Sequence, residues 1–138
     1  MLAGQAFANS PVAAVHALAY PVGGTFHVPH GLSNALVLPH VLRFNAPDAA
    51  QLYAEIAADA FPKLSGEEGI QGRCAAFIEA LADLSKRLGM QTRLREVGIG
   101  EEHLAKMAAD AMKQQRLLVN NPREVLEADA LAIYRAAW

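Results

Sequence analysis

The sequence is poor in the residues that staple, charge or span a protein. Among 138 residues there is one cysteine, Cys74, which excludes an internal disulfide framework and a multi-cysteine zinc cage. Charged residues are only 19% of the chain and nearly cancel, leaving a formal net charge of −2. That balance lacks the basic face a nucleic-acid partner requires, so none is expected. No run of 18 or more apolar residues is uninterrupted, which predicts no membrane span. The apolar opening MLAGQAFANS lacks the positive region of a secretory signal and has no polar lead-in, as in a domain cut from a longer chain. With a lone thiol and no export signal, a cytoplasmic setting is the expectation. β-Branched runs of strand length are also missing, and no segment alternates apolar and polar residues for long. HExxH, CxxC, calcium-loop, P-loop, dinucleotide-fingerprint and G-x-S-x-G patterns are all absent.

What is abundant is alanine, 28 residues, the strongest helix former. The chain is 53% hydrophobic and of a length that suits one domain around one core. These features predict an all-α, bundle-like domain of about six helices over residues 1–138. The first helix is expected from Gln5 to Ala19, with Pro11 marking a start or kink, Pro21 breaking its far end, and a Gly23-Gly24 turn after it. A second follows Pro29-His30-Gly31 and is stopped by Asn45-Ala46-Pro47, with Pro39 kinking it. A third is expected from Asp48 to Phe61, with Leu52, Ile56 and Ala60 on its inner face, and Pro62 stops it. Ser65-Gly66-Glu67-Glu68 has the capping-box pattern and opens a fourth helix, Gly69 to Leu88, with Phe77, Leu81, Leu84 and Leu88 as its stripe and Gly89 as its stop. Thr92 to Gly100 reads as a connector, Glu101 to Gln115 as a fifth helix, and Asn120-Asn121-Pro122 as a turn. A last helix carries Leu131, Ile133 and Tyr134.

The chemical signal lies in the histidines. Four of the five, His16, His27, His30 and His40, fall in one segment, while His103 stands apart. Imidazole is a good ligand for first-row divalent metals. His16 is mid-helix in apolar surroundings, where an imidazole needs a partner or a metal. Tyr20 follows on the same helical face, and His30 lies at a helix start fixed by Pro29 and Gly31. A satisfied core histidine remains the alternative, and two imidazoles fall short of the three or four protein ligands of a usual site. Lys86, Arg87, Arg93 and Arg95 read as helix-end charge and a solvated loop, and Cys74 as a small core residue.

The run VHALAYPVGGTFHVPHGLSNALVLPHVLRFNAP, Val15 to Pro47, resembles the metal-binding signature of the iron-containing (group III) alcohol dehydrogenases. Leu88-Gly89 with Thr92-Arg93-Leu94 and Val97-Gly98 is similar to the family's following connector, and Asn121-Pro122-Arg123 to its C-terminal Asn-Pro-Arg segment. The resemblance covers the whole chain but only the C-terminal part of the family's fold. It implies an intact enzyme with an N-terminal dinucleotide-binding domain, absent from this sequence, and a C-terminal helical one. Fe2+, or sometimes Zn2+, is then held between them by an Asp and three His. By position His16 and His30 are two of these ligands, and the Asp and the remaining His lie upstream. The implied reaction interconverts a small-molecule alcohol and aldehyde with NAD or NADP, the metal acting as a Lewis acid on the oxygen. Tyr20 takes the place of a histidine implied to assist proton transfer, and a phenol is a poorer base at neutral pH than an imidazole.

Three readings are therefore carried forward. The chain is part of a metal-dependent dehydrogenase and inactive by itself. Or it is a non-catalytic helical module, self-associating as a homo-oligomer through an exposed apolar face. Or two chains pool His16 and His30 to complete a zinc site across a symmetry axis.

Overall fold

In a computed structural model the described residues, 1–66 and 69–138, form seven α-helices and three short 3-10 turns, and no strand. The expected first helix is two: α1, Leu2–Asn9, and α2, Ala14–Phe26. Pro11 lies in the break, because proline has no N–H to donate and disfavours α geometry in the residue before it. Pro21 does not end α2, and the Gly23-Gly24 turn expected after it is helical. Burial overrides the local penalty here: Ala17, Leu18, Ala19, Pro21 and Val22 are all buried, and the buried Tyr134 hydroxyl donates to the Leu18 carbonyl at 2.6 Å.

The second and third helices of the sequence reading are one. Helix α3 runs from His30 to Ala60, 31 residues, through both Pro39 and Pro47. At 1.5 Å per residue it is about 46 Å long. The helix passes Pro47 with help from far along the chain. Arg123 Nη1 donates to the Phe44 carbonyl at 2.8 Å, and its guanidinium lies 4.3 Å from the Phe44 ring centroid. Asp48, expected to open a helix, is instead interior to α3, with its carboxylate 3.8 Å from Arg123 Nε. The inner face of this stretch is alanine: Ala49, Ala50, Ala54 and Ala57 are buried, whereas Leu52 and Ile56 are exposed.

Helix α4, Gly69–Arg87, packs along α3. Its capping-box expectation lies outside the described residues. The buried positions are Cys74, Phe77 and Ile78, while Leu84 and Leu88 are exposed, so the stripe lies about one turn earlier than the periodicity suggested. Gly89 ends the helix as expected, with φ of 68° and its N–H donating to the Lys86 carbonyl. The 92–100 connector contains a 3-10 turn, Leu94–Val97, and drives Leu94 and Ile99 into the core. The expected fifth helix is split into a 3-10 turn, Glu101–His103, then α5, Leu104–Ala111, and α6, Gln115–Leu118. Helix α7, Glu127–Ala137, closes the fold.

The main core joins α2, α3, α5, α6 and α7 around Leu18, Leu36, Leu104, Met107, Ile133 and Tyr134. A smaller cluster of Leu42, Ala50, Cys74 and Ile78 seals α3 against α4. Cys74 is a buried free thiol, as expected, and burial raises its pKa. No helix among the described residues is long and apolar enough to cross a membrane.

Candidate metal centre

The α2–α3 turn determines how two histidines face one another. Helix α2 ends at His27 in the left-handed conformation, φ 56° and ψ 25°, a state histidine enters more readily than most non-glycine residues. Pro29 then starts α3, and the Ser33 hydroxyl lies 3.1 Å from both the Val28 and Pro29 carbonyl oxygens. Gly23 permits this close passage. A Cβ there would meet the Val28 oxygen at 3.3 Å and Ser33 Oγ at 3.4 Å. A side chain at Gly23 would press on these two oxygens, so the close passage favours glycine there, and the turn sets the first residue of α3, His30, beside the first turn of α2, which holds His16.

The rings of His16 and His30 are 5.2 Å apart, centroid to centroid, and inclined at 54°. Between them stands Asn34, one helical turn after His30. Its Nδ2 is 3.1 Å from His30 Nε2 and 3.5 Å from His16 Nε2. Both Nε2 atoms thus address one point. Asn34 Oδ1 is buried and has no hydrogen-bond partner among the described residues. The pKa of His16 is lowered, first by burial and then by the His30 ring, which favours the neutral imidazole that ligates metals. His16 is half-buried rather than enclosed, and His30 is exposed, so the pair opens outward.

This arrangement fits half of a divalent-metal site. Two imidazole nitrogens converge, both from helix positions that the packing of α2 on α3 holds in place. No cluster of three or more histidine, cysteine, aspartate or glutamate side chains able to hold an ion occurs among the described residues. Tyr20 lies one turn beyond His16 on α2, is 41% exposed, and makes no hydrogen bond among the described residues. It is therefore a surface side chain on the same helix face rather than part of the core.

The other histidines are not brought to this pair. His27 is exposed at the end of α2. His103 packs its ring 5.2 Å from that of Phe26 and approaches Glu102. His40 is ten residues beyond His30, about 15 Å along α3 at the α-helical rise. It lines a different cavity, with Arg43 and Glu79. The residue that the histidine count overlooked is Asn34. Its signal in the sequence is the i, i+4 spacing from His30, which stacks the two on one helical face.

The whole chain, residues 1–138, matches the model of the Fe-containing alcohol dehydrogenase family, C-terminal part. It is 41% identical over 140 residues to long-chain-alcohol dehydrogenase 1 of Geobacillus thermodenitrificans, covering 99% of this chain and 34% of that protein. It is 35% identical over 137 residues to the lactaldehyde reductase of Escherichia coli K12, covering 99% of this chain and 35% of that one. The crystal structure of a 1,3-propanediol oxidoreductase superimposes with a TM-score of 0.91 at 35% identity, over 99% of this chain and 35% of that chain. This chain thus spans about a third of the length of the curated relatives it matches. It belongs to the Fe-containing alcohol dehydrogenase family, as the all-helical C-terminal part of the family's fold.

Proposed function

We propose that His16 and His30 are two of the protein ligands of a divalent metal, Fe2+ or Zn2+, in an intact enzyme that interconverts alcohols and aldehydes with NAD or NADP. The observation that carries this is the convergence of both Nε2 atoms on the Asn34 amide. In this reading the remaining ligands and the dinucleotide-binding domain belong to a part of the protein outside these 138 residues. The bound ion supplies Lewis acidity toward the substrate oxygen.

This chain's own residues then have distinct tasks. The α2–α3 turn orients the two imidazoles without further movement. Burial of His16 lowers its pKa and favours the neutral imidazole that a metal requires. Asn34 marks the point that both Nε2 lone pairs address, and its amide gives way there when an ion is bound. Tyr20, exposed one turn from His16, offers a hydroxyl that donates a hydrogen bond to a substrate oxygen and steers the reacting carbon. Without a nicotinamide site the chain alone has no dehydrogenase activity.

The test is a chimaera in which this chain replaces the corresponding third of the E. coli lactaldehyde reductase. NAD(P)-linked turnover of an alcohol or aldehyde is expected, and loss of both metal and turnover in its His30→Ala form. A folded chimaera that binds no metal would overturn the ligand assignment. Turnover by the isolated 138-residue chain would overturn the division of labour.

A further inference from the structure

The basic run Lys86, Arg87, Arg93, Arg95 reads in the sequence as a solvated charge patch. The structure divides it. The Arg95 guanidinium lies 5.7 Å from the Trp138 ring centroid. Lys86 and Arg93 instead line a cavity of about 260 Å³ between α3, α4 and the connector, together with His40, Arg43, Glu79 and Thr92. Arg43 is anchored there, its Nη2 2.6 Å and its Nε 3.2 Å from the Glu79 carboxylate. Lys86 reaches Asp83 at 3.1 Å. Arg93 forms no ion pair among the described residues, and His40 makes no hydrogen bond there although it is half-buried. One lining carboxylate therefore faces three lining cations and an unpartnered imidazole.

We infer that this cavity binds one compact oxyanion, a phosphate or carboxylate group, through the Arg93 and Arg43 guanidiniums with the Thr92 hydroxyl and the His40 ring completing the contacts. Guanidinium groups suit this task, because their planar N–H pairs match the oxygens of such anions. The volume leaves ample room for a phosphate or carboxylate group. Burial first, then the charges of Arg43 and Arg93, push the His40 pKa down to about 4, against the pull of Glu79. His40 is thus neutral at pH 7 and offers one donor and one acceptor nitrogen. The cavity is independent of the His16–His30 pair and of the reaction assigned to it.

The experiment titrates the 138-residue chain with inorganic phosphate and, separately, with acetate, at ionic strength held constant with chloride. The readouts are the Thr92 and Arg93 amide signals and the His40 ring signals by NMR. Saturable shifts at these three residues are expected. Arg93→Gln weakens binding about tenfold or more, the loss of one charge-assisted hydrogen-bonded group. Glu79→Gln, which releases Arg43, tightens binding, a gain that a loss of fold does not imitate. Tighter phosphate identifies a phosphoryl ligand and tighter acetate a carboxylate, and both support the site. Shifts that do not saturate, or an affinity that neither variant moves, would overturn it.

Discussion

Asn45 and Asn121, 76 residues apart, exchange two side-chain hydrogen bonds: Asn45 Nδ2 donates to Asn121 Oδ1 at 3.0 Å, and Asn121 Nδ2 to Asn45 Oδ1 at 2.8 Å. Asn121 Nδ2 also reaches the Arg123 carbonyl at 2.6 Å, while Arg123 Nη1 holds the Phe44 carbonyl. The Phe44-Asn45 and Asn121-Pro122-Arg123 motifs are therefore two halves of one clamp. It pins the turn before α7 to the middle of α3, where Pro47 would otherwise weaken the helix. Its role is structural.

Replacing Asn121 with Ala leaves the buried Asn45 amide without its partner. A loss of about 1–3 kcal/mol is expected, the range for orphaning a buried polar group. Chemical denaturation measures it. The Asn45→Ala, Asn121→Ala double variant loses less than the sum of the single ones, since both delete one interaction. Strict additivity would show that the amides do not act as a pair.

Tyr134 is fully buried and its hydroxyl donates to Leu18 O. Burial raises its pKa, so the phenol stays protonated across the folded pH range. Tyr134→Phe keeps the ring and removes the bond, and about 1 kcal/mol of stability is expected to go with it. An unchanged denaturation midpoint would contradict the assigned bond.

His40 makes stability depend on pH. Its neighbours are Arg43 on α3, Glu79 and Lys86 on α4, Arg93 on the connector, and Asp129 on α7. Its pKa is about 4 in the folded chain against an ordinary value of 6.5, so between these values the unfolded chain binds a proton the folded one refuses. Stability is full above pH 6.5 and is lost as the pH falls toward 4, by about 2–3 kcal/mol from this group. Denaturation of the protein and of His40→Asn across that window should diverge by this amount. Parallel curves would mean that His40 titrates normally.

If His16 and His30 hold a metal as proposed, Asn34 occupies the point a further ligand would reach. Asn34→Asp replaces an amide that donates to both Nε2 atoms with a carboxylate oxygen. Co2+ or Zn2+ affinity of the isolated chain should rise about tenfold or more, with a Co2+ absorption spectrum of a protein-bound ion. His16→Ala in the same background should abolish the gain. A carboxylate at position 34 that leaves affinity unchanged would place the convergence point of the two rings elsewhere.

Helix α1 leaves Leu2 80% and Phe7 59% exposed. Self-association of the isolated chain through this face is expected, and Phe7→Ser should shift light-scattering mass toward the monomer. A monomer at all concentrations before substitution would remove the expectation.

The helical class was legible in the residues, because alanine abundance is a property of composition, whereas the His16–His30 pairing was legible only through the resemblance of the Val15–Pro47 run to a known family signature. Helix ends were legible only where a local signal had no tertiary competitor. Gly89 stops α4 because its positive φ serves the backbone at that point. Pro11 breaks a helix because no packing compensates there, whereas Pro21, Pro39 and Pro47 do not. Leu52 and Ile56 fit an apolar period yet face outward, because alanines make the close packing on that stretch of α3, and Leu84 and Leu88 do so because α4 buries Cys74, Phe77 and Ile78 instead.

What the sequence determined by itself is the kind of element, helix, which follows from residue composition; the pairing of His16 with His30 was carried by the resemblance of the Val15–Pro47 run to a family signature. The long α3 helix, the Asn34 bridge and the gathering of Arg43, Lys86 and Arg93 around His40 were decided by the tertiary structure. Each depends on side chains far apart in the chain being held within bonding or charge-interaction range, and no local pattern encodes that proximity.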